Sequence, residues 1–209
     1  MIILCAGPSI QQLSDKIEGL RNTKEEFLLI NGHSTVYENT LKKIERYPDY
    51  VCSYCDSYTA LDNALLKEFQ DNETKFLTID HVYSVSFRAR IKTYIDIDPD
   101  VDRYDPGKQT NSLIKMLVYF GSQGIKDFYL FGCDGYAGTG STHYKLHKEN
   151  DIDARFRDTD SINKRTIGIL EDYKLDLNII NCNENSHINC FDKVTVDEGI
   201  KMIKKEKEL

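Results

Sequence analysis

The chain predicts an α/β fold, a mostly parallel sheet with helices on both faces. Two observations carry that expectation. Short continuous apolar runs such as Ile2–Cys5, Phe27–Ile30 and Phe128–Phe131 recur along the chain, as strands buried on both faces must. Between them lie segments whose apolar residues return at helical spacing. With 209 residues, 40% hydrophobic and 29% charged, the composition is that of a globular protein able to bury a core. Length argues for a single domain, 1–209.

In order, Ile2–Cys5 is a first strand, and Ile10, Leu13, Ile17 and Leu20 keep one face of a following helix. Phe27–Ile30 is a second strand, followed by a helix running through Leu41 and Ile44. Tyr50–Tyr54 is a third, followed by a helix carrying Leu61, Leu65, Leu66 and Phe69. Lys75–Ile79 reads as a fourth strand and Ile91–Ile95 as a further short one. Ser112–Phe120 is apolar nearly all round (Leu113, Ile114, Met116, Leu117, Val118, Phe120) and therefore a buried helix. Phe128–Phe131, a helix over Ile162–Tyr173, a strand near Leu177–Ile180 and a helix Thr195–Lys205 complete the series. Repeated βα units of this kind make a Rossmann-like α/β fold with a parallel sheet. Two segments break the alternation: the acidic, turn-rich Asp96–Gln109 and the polar Ala137–Asp158. Long irregular segments inside a domain act as lids or binding loops, and residues 137–158 are expected to be such a lid.

Charge and cysteines exclude several classes. Lys plus Arg is 27 and Asp plus Glu is 34, for a formal charge of −7, which opposes nucleic-acid binding by phosphate neutralisation. The apolar start is too short for a signal peptide and no run approaches a membrane span, so a soluble, cytoplasmic protein is expected. Six cysteines are too sparse for a disulfide scaffold. Cys52 and Cys55 form a C-x-x-C, but no second such pair follows and Cys182 and Cys190 are spaced wrongly for zinc. They read as buried, inert thiols. The charge run Lys201 to Glu208 reads as a solvated helix end, with Asp197 and Glu198 early and lysines late, as the helix dipole favours.

Four constellations carry chemistry. Ala6-Gly7-Pro8-Ser9 follows the first strand and opens the first helix. There Gly7 permits close backbone approach to a phosphate, Pro8 sets the bend, and Ser9 can cap the helix or offer its hydroxyl. A plain tight turn explains the same residues. The motif is neither a Walker sequence nor G-x-G-x-x-G. Asn31-Gly32-His33-Ser34 follows the second strand; Asn31 can read a base or sugar, and His33 reads equally as a solvated loop residue. Asp56, at the end of Ser53-Tyr54-Cys55-Asp56, can contact a ribose hydroxyl or a metal, or cap the next helix. Finally, Phe131-Gly132-Cys133-Asp134-Gly135-Tyr136 leads into Gly140-Ser141-Thr142-His143-Tyr144. Here Asp134 can position a hydroxyl or a cation, Tyr136 and Tyr144 can donate to phosphate oxygens, and His143 has base chemistry.

The order of these blocks, above all Asn111–Tyr136 with its G-I-K-D-F-Y-L-F-G-C-D-G-Y, resembles a Rossmann-type group in blocks over roughly residues 1–182. The group comprises the small bacterial CMP-sialic acid-dependent sialyltransferases, the flagellin-glycosylating motility accessory factors and the 6-hydroxymethylpterin pyrophosphokinase-like proteins. For the sialyltransferase-like members the resemblance implies a glycosyltransferase with a CMP-linked donor, a glycan or protein acceptor and no required cofactor. It puts Gly7, Pro8 and Ser9 near the nucleotide, Asn31 beside the donor, and Tyr136 and Tyr144 at the departing phosphate. Asp56 and Asp134 belong to the same nucleotide site.

The chain departs from that pattern. Where those enzymes carry a His shortly before a T-D, Arg155, Phe156, Arg157 and Asp158 precede Thr159-Asp160; Ala6 replaces an Asn; and the tyrosines are spaced more widely. His143 or His147 is then the candidate base, and Arg155 and Arg157 the candidate phosphate or acidic-acceptor ligands. Two other readings stay open. One is a pyrophosphokinase-like transferase of ATP and a pterin-like alcohol, with Asp56 and Asp134 on Mg²⁺; the other is a non-catalytic nucleotide-binding relative. Proximity to a membrane surface and a homo-oligomer are compatible with each.

Overall fold

Strand β1 (Ile2–Leu4) is the axis on which the architecture turns. A computed structural model of the chain describes residues 1–30, 34–53, 63–78, 94–96, 112–134 and 159–205. From β1 the chain steps outward on one side through β2 (Phe27–Ile30), β3 (Tyr50–Ser53), β4 (Lys75–Thr78) and β5 (Tyr94–Asp96). It then crosses to the other side of β1 for β6 (Asp127–Phe131), β7 (Asn178–Asn181) and the two-residue β8 (Asp192–Lys193). The sheet order is β5-β4-β3-β2-β1-β6-β7-β8 and every pairing is parallel. The α/β, parallel-sheet expectation holds. The reversal of direction lies between β1 and β6, which makes their carboxyl ends the topological switch point.

Strand alternation divides the core in two. Ile2 and Leu4, Phe27 and Leu29, Tyr129 and Phe131 face one layer; Met1 and Ile3, Leu28 and Ile30, Phe128 and Leu130 face the other. The first layer is closed by α1 (Ile10–Ser14), α2 (Ser34–Asn39), α3 (Asn63–Asp71) and α6 (Val196–Lys205). The second is closed by α4 (Ser112–Ser122), through Leu113, Met116, Leu117 and Phe120. Ile114 and Val118 on the far side of α4 pack against Ile169 of α5 (Thr159–Asp172). A helix held between a sheet and another helix must be apolar on both sides, which is why Ser112–Phe120 shows no polar stripe. At about 1.5–3 kcal/mol per large buried side chain, these two layers dominate the stability.

Three expectations change in detail. The helices after β1 and β2 are not continuous: each is an α-helical turn followed by a 3₁₀ turn, Ile17–Leu20 and Leu41–Ile44. The inward faces persist, since Ile10, Leu13, Ile17 and Leu20 are all buried. The break before Leu41 falls at Thr40, whose hydroxyl donates back to the Val36 carbonyl at 2.6 Å, a bond that competes with helix propagation. The fifth strand is Tyr94–Asp96 rather than Ile91–Ile95. And β8, two charged residues, joins the sheet edge without any apolar run to announce it. No helix among the described residues is long and apolar enough to cross a membrane.

Candidate functional site at the switch point

The G-P-S turn leaves β1 and the Gly-Cys-Asp segment leaves β6 side by side. Through Leu4 the two strands are in regular register, Leu4 opposite Phe131, and the Cys5 N–H donates to the Phe131 carbonyl at 2.8 Å. The Gly7 N–H then donates to the Gly132 carbonyl at 2.9 Å, one residue short of where the ladder would carry it. Gly132 accommodates that slip with φ +71°, a region open to glycine.

No side chain fits at either glycine. A Cβ on Gly132 would stand 2.4 Å from the Cys5 carbonyl oxygen, and one on Gly7 would stand 2.2 Å from Asp134 Oδ2 and 2.4 Å from the Gly132 oxygen. Sequence reasoning assigned the close approach at Gly7 to a phosphate. In the structure that space is filled by the chain itself, by Asp134 and Gly132.

Asp134 is the centre of the arrangement. Its Oδ2 accepts from the Ser9 backbone N–H at 2.9 Å, and its Oδ1 accepts from the Asn183 amide. Both carboxylate oxygens are therefore engaged by protein donors, which makes Asp134 a strut across the switch point. The expected capping role of Ser9 is not made: Ser9 makes no side-chain cap bond, and the Gln11 and Gln12 N–H groups that a cap would receive donate to the Pro8 and Ser9 carbonyls. α1 is also only five residues long, too short to develop much of a macrodipole. The Ser9 hydroxyl is left buried with no hydrogen-bond partner among the described residues. A buried hydroxyl without a partner is costly, and this one lies at the switch point of the sheet.

The loop after β7 braces Asp134, and sequence reasoning passed over it. The Asn181 amide donates to the Cys133 carbonyl at 2.9 Å, and the Ser186 hydroxyl reaches the Cys133 carbonyl at 2.8 Å and the Asp134 carbonyl at 3.1 Å. The His187 N–H donates to the Asp134 carbonyl at 2.8 Å, and Lys193 Nζ in β8 donates to the Ser186 carbonyl at 2.9 Å. The signal was a cluster of small amides and hydroxyls, Asn181-Cys182-Asn183-Glu184-Asn185-Ser186, directly after an apolar strand.

Two thiols near the site, Cys133 and Cys190, are held protonated. Hydrogen bonding to Cys5, reinforced by burial, pushes the Cys133 thiol well above the ordinary range, and burial pushes Cys190 up to about 11. Cys52 is buried, as expected.

Of the sequence-derived candidates, Gly7, Pro8, Ser9 and Asp134 are brought together. Asn31, Asp56, Tyr136, His143, Tyr144, His147, Arg155 and Arg157, with the lid 137–158, lie outside the described residues. Among the described residues no group of three His, Cys, Asp or Glu side chains is arranged to hold a metal. A cleft of about 200 Å³ lined by Ile167, Leu170, Leu177 and Phe191 opens at the β7–β8 edge, away from Ser9 and Asp134.

No family model and no curated protein matches this chain. Solved structures do share its fold. The sialyltransferase CstII from Campylobacter jejuni in complex with cytidine-5'-monophosphate superposes with TM-score 0.58 at 15% identity, covering 93% of this chain and 84% of that one. The same enzyme with the substrate analogue CMP-3FNeuAc gives TM-score 0.58 at 14% identity, covering 93% and 86%. A CST-II complex with a trisaccharide acceptor and CMP gives TM-score 0.54 at 15% identity, covering 93% and 85%. The likeness is one of architecture: this chain has the fold of these bacterial sialyltransferases.

Proposed function

We propose that the protein is a glycosyltransferase that takes its sugar from a CMP-linked, sialic-acid-like donor and delivers it to a glycan or protein acceptor. The observation that carries this reading is the convergence of Gly7-Pro8-Ser9 and Asp134 at the switch point, with the Ser9 hydroxyl buried and unpartnered there among the described residues. Ligands of open α/β sheets bind at that place, and the fold neighbours were solved with CMP and a CMP-sugar analogue.

In this reading Ser9, Asn31 and Asp56 receive the nucleotide beside the Gly7-Pro8 turn, and Asp134 holds that turn in shape. Arg155 and Arg157 attract phosphate or an acidic acceptor. The bond from the sugar's anomeric carbon to the phosphate oxygen breaks, and CMP leaves with that electron pair. Tyr136 and Tyr144 donate to its phosphate, an electrostatic contribution expected to be the largest. The acceptor hydroxyl attacks the same carbon and gives its proton to His143 or His147, a step worth roughly 10²–10⁴-fold.

A melting screen against nucleotides, with and without Mg²⁺, tests it. CMP and CMP-sugars should raise the melting temperature without a divalent ion, and ATP should not. No shift with CMP or any CMP-sugar overturns the reading; strictly Mg²⁺-dependent ATP binding would move the chain to the pyrophosphokinase-like class.

A further inference from the structure

The loop between β7 and β8 is held more firmly than a connection between two strands requires. The Asn181 amide and the Ser186 hydroxyl both donate to the Cys133 carbonyl, at 2.9 and 2.8 Å, and the Asn183 amide donates to Asp134 Oδ1. An inner turn closes the loop on itself: the Asn183 side-chain oxygen accepts from the Asn185 N–H at 3.1 Å, and the Asn183 carbonyl accepts from the Ser186 N–H at 3.1 Å. Asn181, Asn183, Ser186 and Ile188 are buried, whereas His187, between two of them, is exposed. Its backbone is fixed all the same. The His187 N–H donates to the Asp134 carbonyl at 2.8 Å, and the Ser186 carbonyl, on the other edge of the same peptide, accepts from Lys193 Nζ at 2.9 Å. Lys193 donates also to Asn189 Oδ1 at 2.7 Å, and no carboxylate among the described residues pairs with it.

Asp134 joins this loop to the G-P-S turn, since its carbonyl holds the His187 N–H and its carboxylate holds the Ser9 N–H. From one nitrogen to the other the path runs through a single residue and two hydrogen bonds, so they lie at most about 10 Å apart. That span is comparable with the length of a nucleoside monophosphate. We infer that His187 is a ligand of the nucleotide's phosphate, an inference that rests on the nucleotide site proposed above and adds a residue to it. The chemistry of this rim is that of a donor. An imidazole offers an N–H in either protonation state, and the Lys193 ammonium supplies positive charge one peptide away, which suits the anionic end of a nucleotide rather than its base. The anchors on Cys133 and Asp134 fix the His187 backbone before any ligand arrives, so little freedom is lost when the imidazole engages.

Titration calorimetry with CMP and with cytidine, which lacks the phosphate, tests this. In His187→Ala the affinity for CMP should fall about tenfold, with the affinity for cytidine and the melting temperature unchanged because the side chain is exposed. An equal loss for both ligands, as a merely structural role would give, or no loss for CMP, overturns the inference and leaves the proposed function standing. Should the variant fold poorly, the wild-type protein decides: in NMR spectra the ring carbon–proton signal of His187 should move with CMP and stay in place with cytidine, and a signal moved by neither overturns the assignment. If the wild type binds another nucleoside monophosphate and not CMP, the proposed function falls, and the same comparison between that nucleotide and its nucleoside decides His187. Binding of no nucleotide overturns both.

Discussion

Two helices of this protein begin on a hydroxyl residue and treat it in opposite ways. At α6 the Thr195 hydroxyl accepts from the Glu198 N–H at 3.2 Å, and the Glu198 carboxylate accepts from the Thr195 N–H at 2.9 Å. That is a closed capping box, completed within four residues. At α1 the Ser9 hydroxyl takes no such part, and the carboxylate that receives the Ser9 N–H comes from Asp134, 125 residues away. A helix that serves only the core satisfies its end locally. At the switch point the protein instead spends a remote, braced carboxylate on the backbone, and a hydroxyl is left over. On the proposed function, that difference suits the second helix start to receiving a ligand and leaves the first as scaffold.

The largest expected break in this comparison is Gly7→Ala. The new methyl group would overlap Asp134 Oδ2 and the Gly132 oxygen, and the latter, a backbone atom directly after β6, cannot withdraw while β1 and β6 stay paired. A loss of about 3 kcal/mol in urea unfolding is expected, together with loss of any CMP-induced melting shift. Asp134→Asn keeps the shape but removes the charge from two hydrogen bonds, and should cost about 1–2 kcal/mol. Here the CMP response should fall further than stability does; equal losses would argue that Asp134 has no tie to ligand.

Thr195→Ala should cost about 1 kcal/mol with CMP binding intact. The same cap has a pH signature. Bonds from the Thr195 backbone and hydroxyl hold the Glu198 carboxyl below its usual value of 4.5. Its contribution is therefore fully present above that value and is lost as pH falls through the lowered one. In acid titrations of melting temperature, Glu198→Gln should flatten the limb below about pH 4.5. The smallest effect on stability belongs to Ser9→Ala, within about 0.5 kcal/mol, because no partner among the described residues is lost. Its effect should appear in CMP affinity, read by titration calorimetry. A Ser9→Ala protein that binds CMP normally would erase the contrast between the two helix starts.

Much of the fold was legible because burial on both faces writes itself into composition. Phe27–Ile30 and Phe128–Phe131 are buried on both faces, so their apolar runs announced parallel strands. β8 was illegible because Asp192 and Lys193 are exposed and join the sheet by backbone bonds alone. The helix breaks at Thr40 and near Asp15 were hidden because the 3₁₀ turns keep the same apolar face. In the site, Gly7-Pro8-Ser9 and Asp134 were each legible as turns after apolar strands. Their mutual contact was not, nor was the brace from Asn183 and Ser186, whose side chains are ordinary loop polar groups until β7 brings them beside β6.

The sequence by itself therefore determined the α/β class, the order of strands and helices, and the places where each strand hands over to a loop, since these depend on local patterns of apolar and turn residues. Only the tertiary structure decided which strands are neighbours, and so where the sheet reverses. That choice converts two separate turns into one site. It takes from Gly7 the role of yielding to a phosphate and gives that space to Asp134. It ties the Ser9 N–H to Asp134 and braces Asp134 from the loop after β7. The physical reason is that a buried polar group is satisfied by whatever donor the fold brings within about 3 Å, and that partner is chosen by strand pairing across more than a hundred residues.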